Sequence, residues 1–377
     1  MSMMETVEHT NKIVLVYLAH PRISRSGMEK DITELWNLVA SLGDAAVVDI
    51  IAQKGPEFPA TYIGTGKVAE VAEYLTAHPV HVILFNGRLK PGQKFTLRKK
   101  YWGIRPDIGI WDRVDLILAI FSRHAHTTQA KLQIELARMR LMGPSLYGMG
   151  KVLSRQGGGI GTQGLGETNT ELMKRHWQRE TKRITDELAK TVNTRKRQME
   201  HRKRMGLQTI SLVGYTGAGK TSLFNLLTHK HHAVEHVLFT TLDSTVGEIF
   251  MPALGKQVVI SDTIGFIGNL PPDLIDAFTS TLLESVHADL VLHVIDASDR
   301  DMSEKIDVVH GILKEINISK EKVALVYNKI DAAPIIDRKK IAGRFPTFPS
   351  VFVSAKTGEG IETILTSFVP RLIPPAA

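Results

Sequence analysis

Gly214-Tyr215-Thr216-Gly217-Ala218-Gly219-Lys220-Thr221 sets glycines, a lysine and a threonine at a spacing suited to phosphate chemistry. Glycines let successive backbone N–H groups turn inward around anionic oxygens, and the N-terminus of a following helix adds a favourable dipole. Lys220 then meets the β and γ oxygens of a nucleotide, and Thr221 can ligate Mg²⁺. An apolar stretch, Thr209 to Val213, runs into the motif, and Ser222 to Leu227 has helix-forming character. A chance glycine turn does not explain a strand and a helix on either side.

Further along, Asn328-Lys329-Ile330-Asp331 leaves the end of the apolar run Val323 to Tyr327. Asp331 can accept two hydrogen bonds from the N1–H and exocyclic amine of guanine. Adenine lacks that donor pair and would leave a desolvated carboxylate unpaired, a penalty that reaches roughly 10⁴-fold discrimination. Ser354-Ala355-Lys356 follows the next apolar run, so the Ala355 N–H can meet guanine O6. Asp262-Thr263-Ile264-Gly265 ends another, placing Asp262 to hold Mg²⁺ through water and the Gly265 N–H near a γ-phosphate. Between it and the phosphate loop lies Phe239-Thr240-Thr241-Leu242-Asp243, where a threonine can reach Mg²⁺ only while a γ-phosphate is present. In this chain order the motifs describe a GTP/GDP site with Mg²⁺. Phe266 stands where many GTPases carry a water-positioning Gln, and phenylalanine cannot orient water by hydrogen bonding. Slow intrinsic hydrolysis and a partner that supplies the missing group are expected; packing of Phe266 under the switch is a compatible second role.

The elements that must position these residues follow from hydropathy. Ile13 to Leu18, Ala45 to Ile51, Val80 to Phe85 and Ile108 to Trp111 read as buried strands, with helical patterns near Met28 to Leu42, Lys67 to Ala77 and Gly92 to Tyr101. That alternation predicts an N-terminal parallel α/β domain over residues 1–125. A connector over 126–205 follows. Asp112 to Arg140 reads as helical, Gly157 to Gly166 as a glycine loop, and about Thr168 to Arg204 as a basic exposed helix paired with Gln129 to Leu141. Residues 206–377 form a Ras-like P-loop domain, with strands near Thr209 to Val213, Gln257 to Ser261, Leu290 to Ile295, Val323 to Tyr327 and Val351 to Val353. Gly247 to Met251 is expected antiparallel to the second of these.

The net charge of +8 favours a polyanionic partner, and it is concentrated in Lys174, Arg175, Lys182, Arg183, Arg195 to Arg197 and Arg202 to Arg204, with Trp177 interleaved. RNA phosphate contact is the preferred reading over a merely solvated helical face. The absence of cysteine excludes disulfides, thiolate metal sites and cysteine nucleophiles. Met1 to Lys12 is polar, and apolar runs such as Leu116 to Phe121 fall short of the roughly 20 residues that span a bilayer. A cytoplasmic protein with no membrane or DNA partner is expected. Gly159 to Gly164 matches a dinucleotide fingerprint in letters, but no strand enters it, leaving close approach to RNA or a hinge. His229, His231, His232 and His236 lack carboxylate neighbours and read as a solvated loop. Gly64-Thr65-Gly66-Lys67 lacks phosphate-loop spacing and reads as a helix start.

Tyr62 to Lys67, Trp111-Asp112-Arg113 before Leu116 to Leu118, Lys131 to Gln133, the loop Gly157 to Thr168, Phe239 to Asp243 and Asp262 to Phe266 together resemble the HflX family of ribosome-associated GTPases, over roughly residues 12 to 370. The resemblance selects Thr241 over Thr240 as the switch threonine, and implies hydrolysis of GTP with Lys220, Thr241 and Gly265 as the catalytic set. It further implies association with the large ribosomal subunit and its RNA, activation of hydrolysis by the ribosome, and a role in splitting or rescuing stalled ribosomes; a monomer is expected. A nucleotide-gated RNA- or protein-binding module is the competing expectation. The chain departs from the family pattern at Asn86-Gly87, before Leu89-Lys90-Pro91-Gly92-Gln93, and at Leu165, and the small extra C-terminal domain of some members is expected to be absent.

Overall fold

Ile13 to Ala19 are buried along their whole length, as expected of a strand covered on both faces, and they form most of β1 (Asn11–Ala19). The computed structural model describes residues 11–141, 163–230, 245–263, 265–266, 274, 282–333 and 337–372. Contacts divide the chain into two units, Met1–Arg123 with Ile134–Thr185, and His124–Gln133 with Asp186–Ala377.

In the first unit β1 is joined by β2 (Ala45–Lys54), β3 (Val82–Phe85) and β4 (Gly109–Trp111) in an all-parallel sheet of order β2-β1-β3-β4. Helices α1 (Arg25–Ala40), α2 (Thr65–Ala77) and α3 (Pro91–Trp102) supply the crossovers, and α4 (Arg113–His124) follows β4. Val68, Val71 and Leu75 of α2 and Leu97 and Tyr101 of α3 pack with Val14, Val16, Ile83 and Phe85. Asp112 caps α4: its Oδ1 accepts the N–H groups of Val114 and Asp115 at 2.9 and 3.0 Å. Asn86 stitches β1 to the end of β3, accepting from Leu18 N–H at 2.9 Å and donating to Leu18 O at 3.1 Å.

The helical stretch expected over Asp112 to Arg140 is broken. Residues 125–127 are not helical, and a second helix, α5, covers 128–141. Thr127 explains the restart, since its Oγ1 accepts the Ala130 N–H at 3.1 Å. The basic helix α6 (Gln163–Arg204) begins before Thr168 and takes Gly164 and Gly166 into its first turn. The rest of the expected glycine loop, residues 157–162, lies outside the described residues. Trp177 Nε1 donates to Met139 O at 3.2 Å, so this ring is half-buried in helix packing rather than offered to a base.

The second unit holds a six-stranded sheet of order β10-β9-β8-β5-β7-β6, built from β5 (Thr209–Val213), β6 (Thr245–Met251), β7 (Lys256–Asp262), β8 (Leu290–Asp296), β9 (Val323–Asn328) and β10 (Ser350–Phe352). Only β6 runs antiparallel, against β7. Helix α7 (Lys220–Thr228) buries Leu223, Phe224 and Leu227 on the sheet; α8 is described over 282–287, and α9 (Met302–Glu315) buries Ile306, Val309, Ile312 and Leu313. Arg202 in the last turn of α6 forms a forked ion pair with Glu284 of α8, at 3.0 and 3.3 Å.

Candidate nucleotide-binding site

The carboxyl ends of β5, β7, β9 and β10 carry the polar residues singled out above, where open α/β sheets bind their ligands. Residues Gly214 to Gly219 link β5 to α7. Gly217 and Gly219 have φ of 78° and 88°, left-handed values that disfavour a side chain. A Cβ on Gly219 would lie 2.4 Å from Asn328 Nδ2, and one on Gly214 would lie 2.2 Å from Val294 O. These glycines are therefore required by close approach as well as by conformation.

Lys220 opens α7 and is buried, its Nζ donating to the carbonyls of Gly214 and Tyr215 at 3.1 Å each. Burial pushes its pKa down to about 8, against the pull of the Asp262 carboxylate. Thr221 Oγ1 donates to Asp262 Oδ2 at 2.7 Å, bringing a hydroxyl and a carboxylate from two chain segments together. Such an all-oxygen pair suits a hard cation such as Mg²⁺. Thr263 is buried with its hydroxyl on Leu212 O at 2.6 Å, a fastening of β7 to β5.

Gly265 sits against the loop, for a Cβ there would be 2.7 Å from Thr216 Cγ2 and 3.1 Å from Lys220 Nζ. Phe266 is 2% exposed and is bound through its backbone: its N–H donates to Gly214 O at 3.0 Å and its carbonyl accepts the Thr216 N–H at 2.8 Å. The side chain after Gly265 is therefore a packing element fixed to the phosphate loop. Ile264 and Phe239, Thr240, Thr241, Leu242 and Asp243 lie outside the described residues, as do His231, His232 and His236. His229 closes α7 in an exposed left-handed conformation.

On the base side, buried Asn328 ties the loops together, donating from Nδ2 to Ala218 O at 2.9 Å and accepting the Ala355 N–H on Oδ1 at 2.9 Å. The Ala355 N–H, expected to face guanine O6, is thus directed at Asn328. Ser354 Oγ donates to Asp331 Oδ1 at 2.6 Å and orients the exposed carboxylate, while Lys356 is exposed. Two residues were not singled out by sequence reasoning. Asp296, at the end of β8, accepts Lys329 Nζ at 2.7 Å. His293, inside the same strand, is buried with its pKa held well below the ordinary value by burial, with the His310 ring 5.3 Å away. An acid ending an apolar run was the available signal for the first; nothing in the pattern distinguished the second from a core residue.

A mostly parallel sheet with a glycine cradle, a buried lysine and an Asn-Lys-x-Asp loop along one edge defines a P-loop GTPase domain. Residues 209–329 match the family model of a 50S ribosome-binding GTPase, 29–122 that of the GTP-binding GTPase N-terminal region and 124–202 that of the GTP-binding GTPase middle region. The chain is 37% identical to GTPase HflX of Caldanaerobacter subterraneus subsp. tengcongensis over 93% of its own length and 79% of that protein's. It is 36% identical to GTPase HflX of Escherichia coli (strain K12), over 94% and 82% of the two lengths. The crystal structure of an SsGBP and GDP complex aligns with 96% of this chain and 98% of that one, at 24% identity and a TM-score of 0.50, a likeness of fold. The chain belongs to the HflX family of GTPases, and as a member it is an enzyme that binds and hydrolyses GTP. Among the described residues no helix is long and apolar enough to cross a membrane.

Proposed function

We propose that this GTPase is gated by the large ribosomal subunit, which it engages through RNA, and that its output is the splitting or rescue of stalled ribosomes. The observation that carries this reading is the part of α6 in the second unit, where Lys190, Lys196, Arg197, Lys203 and Arg204 are all exposed. A helix with that much solvated positive charge gains affinity for a phosphate backbone by counterion release. The match to a 50S ribosome-binding GTPase model supports the same partner. Phe266, buried and apolar, supports gating, since a Gln-type water-positioning group is missing at its position.

In this reading Gly214, Tyr215, Thr216, Gly217, Ala218, Gly219, Lys220 and Thr221 hold the phosphates, and the Gly265 N–H meets the γ-phosphate beside Asp262, Thr263 and Ile264. Asn328, Lys329, Asp331, Ser354, Ala355 and Lys356 enclose guanine. Thr221 and, through water, Asp262 hold Mg²⁺, joined by Thr241 of the segment Phe239 to Asp243. When bound, the ion offsets the negative charge on the β and γ oxygens. Residues 1–125, 126–205 and 206–377 act as α/β domain, connector and GTPase domain of a cytoplasmic monomer.

GTP turnover measured with and without purified large subunits tests the proposal, with Lys220→Ala reporting contaminating activity. Strong stimulation that vanishes in the variant is expected. Fast turnover without ribosomes and no response to them would sink it. The burial of Phe266 also favours a second reading, in which GTP occupancy gates binding and turnover only resets the switch. Normal GTP-dependent ribosome binding by Thr241→Ala would count against that version.

A further inference from the structure

We infer that Asp296 is a positioning residue for guanine-nucleotide binding, acting through Lys329. The inference rests on the reading above that the Asn328 to Asp331 loop encloses guanine. Asp296 is the last residue of β8 and stands in register with Asn328 on β9, with the following N–H, that of Ala297, donating to Asn328 O at 2.8 Å. Its side chain is held at both oxygens. Oδ1 accepts the Ser298 N–H at 3.0 Å and the Ser298 hydroxyl at 2.6 Å, and Oδ2 accepts Lys329 Nζ at 2.7 Å. The carboxylate is thus fixed by its own strand-end turn before it meets the lysine.

Lys329 adopts φ of 62°, which a non-glycine residue takes up only where the surroundings fix it. Its side chain crosses the end of the phosphate loop, since a Cβ on Gly219 would lie 3.9 Å from Lys329 Cε. A long, four-carbon arm has several rotamers in water, and freezing it costs entropy. Asp296 meets that cost before a ligand arrives, because a charge-assisted hydrogen bond to a fixed acceptor selects the rotamer that lies across the loop. Ligand binding then need not order Lys329, and the carboxylate balances an ammonium that would otherwise seek water. The pair is partly exposed, with side-chain exposures of 38% for Lys329 and 21% for Asp296. Its effect therefore belongs in affinity and dwell time rather than in fold stability.

The test is titration of the full chain with fluorescently labelled GDP, alongside stopped-flow dissociation. Asp296→Asn keeps shape and removes the charge. It should weaken GDP about tenfold, mainly through faster dissociation, and move the melting temperature of the nucleotide-free protein by less than about 2 °C. In a Lys329→Met background the same change should have no further effect, the signature of action through Lys329. Wild-type affinity in Asp296→Asn, or an equal loss in both backgrounds with a matching drop in melting temperature, overturns the inference. Asp331→Asn in the same assay separates the levels. If it binds GDP like wild type, the guanine-pocket reading falls and takes this inference with it. If it loses affinity while Asp296→Asn does not, the inference alone falls.

Discussion

The described residues form two sheets, one all-parallel and one parallel except for β6, and the carboxyl ends of their parallel strands have opposite characters. At the edge of the first sheet the polar groups satisfy one another. Asp112 caps α4, accepts the Leu89 N–H at 3.1 Å and pairs with Lys94 at 2.9 Å, and Lys94 also bonds Asp115. Burial raises the pKa of Asp115, with the Asp112 charge adding to it and Lys94 opposing. At the edge of the second sheet the backbone is bent into left-handed glycine turns around a buried lysine, and carboxylates and hydroxyls converge from separate loops. A carboxyl-end crevice becomes a binding site through the residues of the loops built there; shared topology does not confer it.

The largest effect should come from Gly219→Ala. A Cβ 2.4 Å from Asn328 Nδ2 at φ of 88° forces the phosphate loop apart from the base loop. Overpacking and left-handed strain together cost about 4 kcal/mol, or roughly a thousandfold in GDP affinity by calorimetry. Gly66→Ala is the matching change in the first unit, where nothing lies within 4 Å of the added carbon. It should leave GDP binding unchanged and stabilise the protein by about 0.5 kcal/mol in chemical unfolding, as helix positions do. A Gly66 variant that loses nucleotide would break the contrast.

Asp112→Ala comes next and should act on stability alone. It strips partners from the Leu89, Val114 and Asp115 N–H groups and from Lys94. A loss of about 3 kcal/mol is expected in urea unfolding, with GDP affinity retained. Arg202→Ala should cost less, about 2 kcal/mol, because the Arg202 and Glu284 side chains are 16% and 7% exposed and partly reach water. Recovery of the loss in an Arg202→Met, Glu284→Leu double variant would show that the fork serves stability rather than nucleotide binding.

What the sequence made legible follows the same division. Strands such as Leu290 to Ile295 and the phosphate loop were readable because apolar runs and glycine spacing are local signals. The break between α4 and α5 was not, since a single hydroxyl, that of Thr127, restarts an otherwise continuous helical pattern. Asn86-Gly87 looked like a departure from a family pattern. In the fold Asn86 bonds both backbone groups of Leu18, and a Cβ on Gly87 would lie 2.0 Å from the Tyr62 hydroxyl, contacts across distant segments. The tie from Ala355 N–H to Asn328 and the pairing of Lys329 with Asp296 were hidden for the same reason: each joins different strand ends.

A smaller effect than these losses sharpens the comparison at its two lysines. Lys94 lies between two carboxylates, whereas Lys220 meets carbonyls, and burial pushes its pKa down to about 8. In the unfolded chain a lysine holds its proton up to about pH 10.4. Between that value and about 8 the unfolded state binds more protons, so this group makes the nucleotide-free protein gain stability as pH rises through that window. Nucleotide binding has the opposite sign, because phosphate oxygens favour the charged amine and binding takes up a proton once the amine is neutral. GDP affinity should therefore fall about tenfold from pH 7 to pH 9, with proton uptake visible as a buffer-dependent enthalpy in calorimetry. Ionisation of guanine N1–H also weakens binding at high pH, and Lys220→Arg separates the two, since the guanidinium stays charged throughout. The part of the slope that belongs to Lys220 is the part this variant abolishes; an unchanged slope would mean that the buried amine keeps its proton across the range.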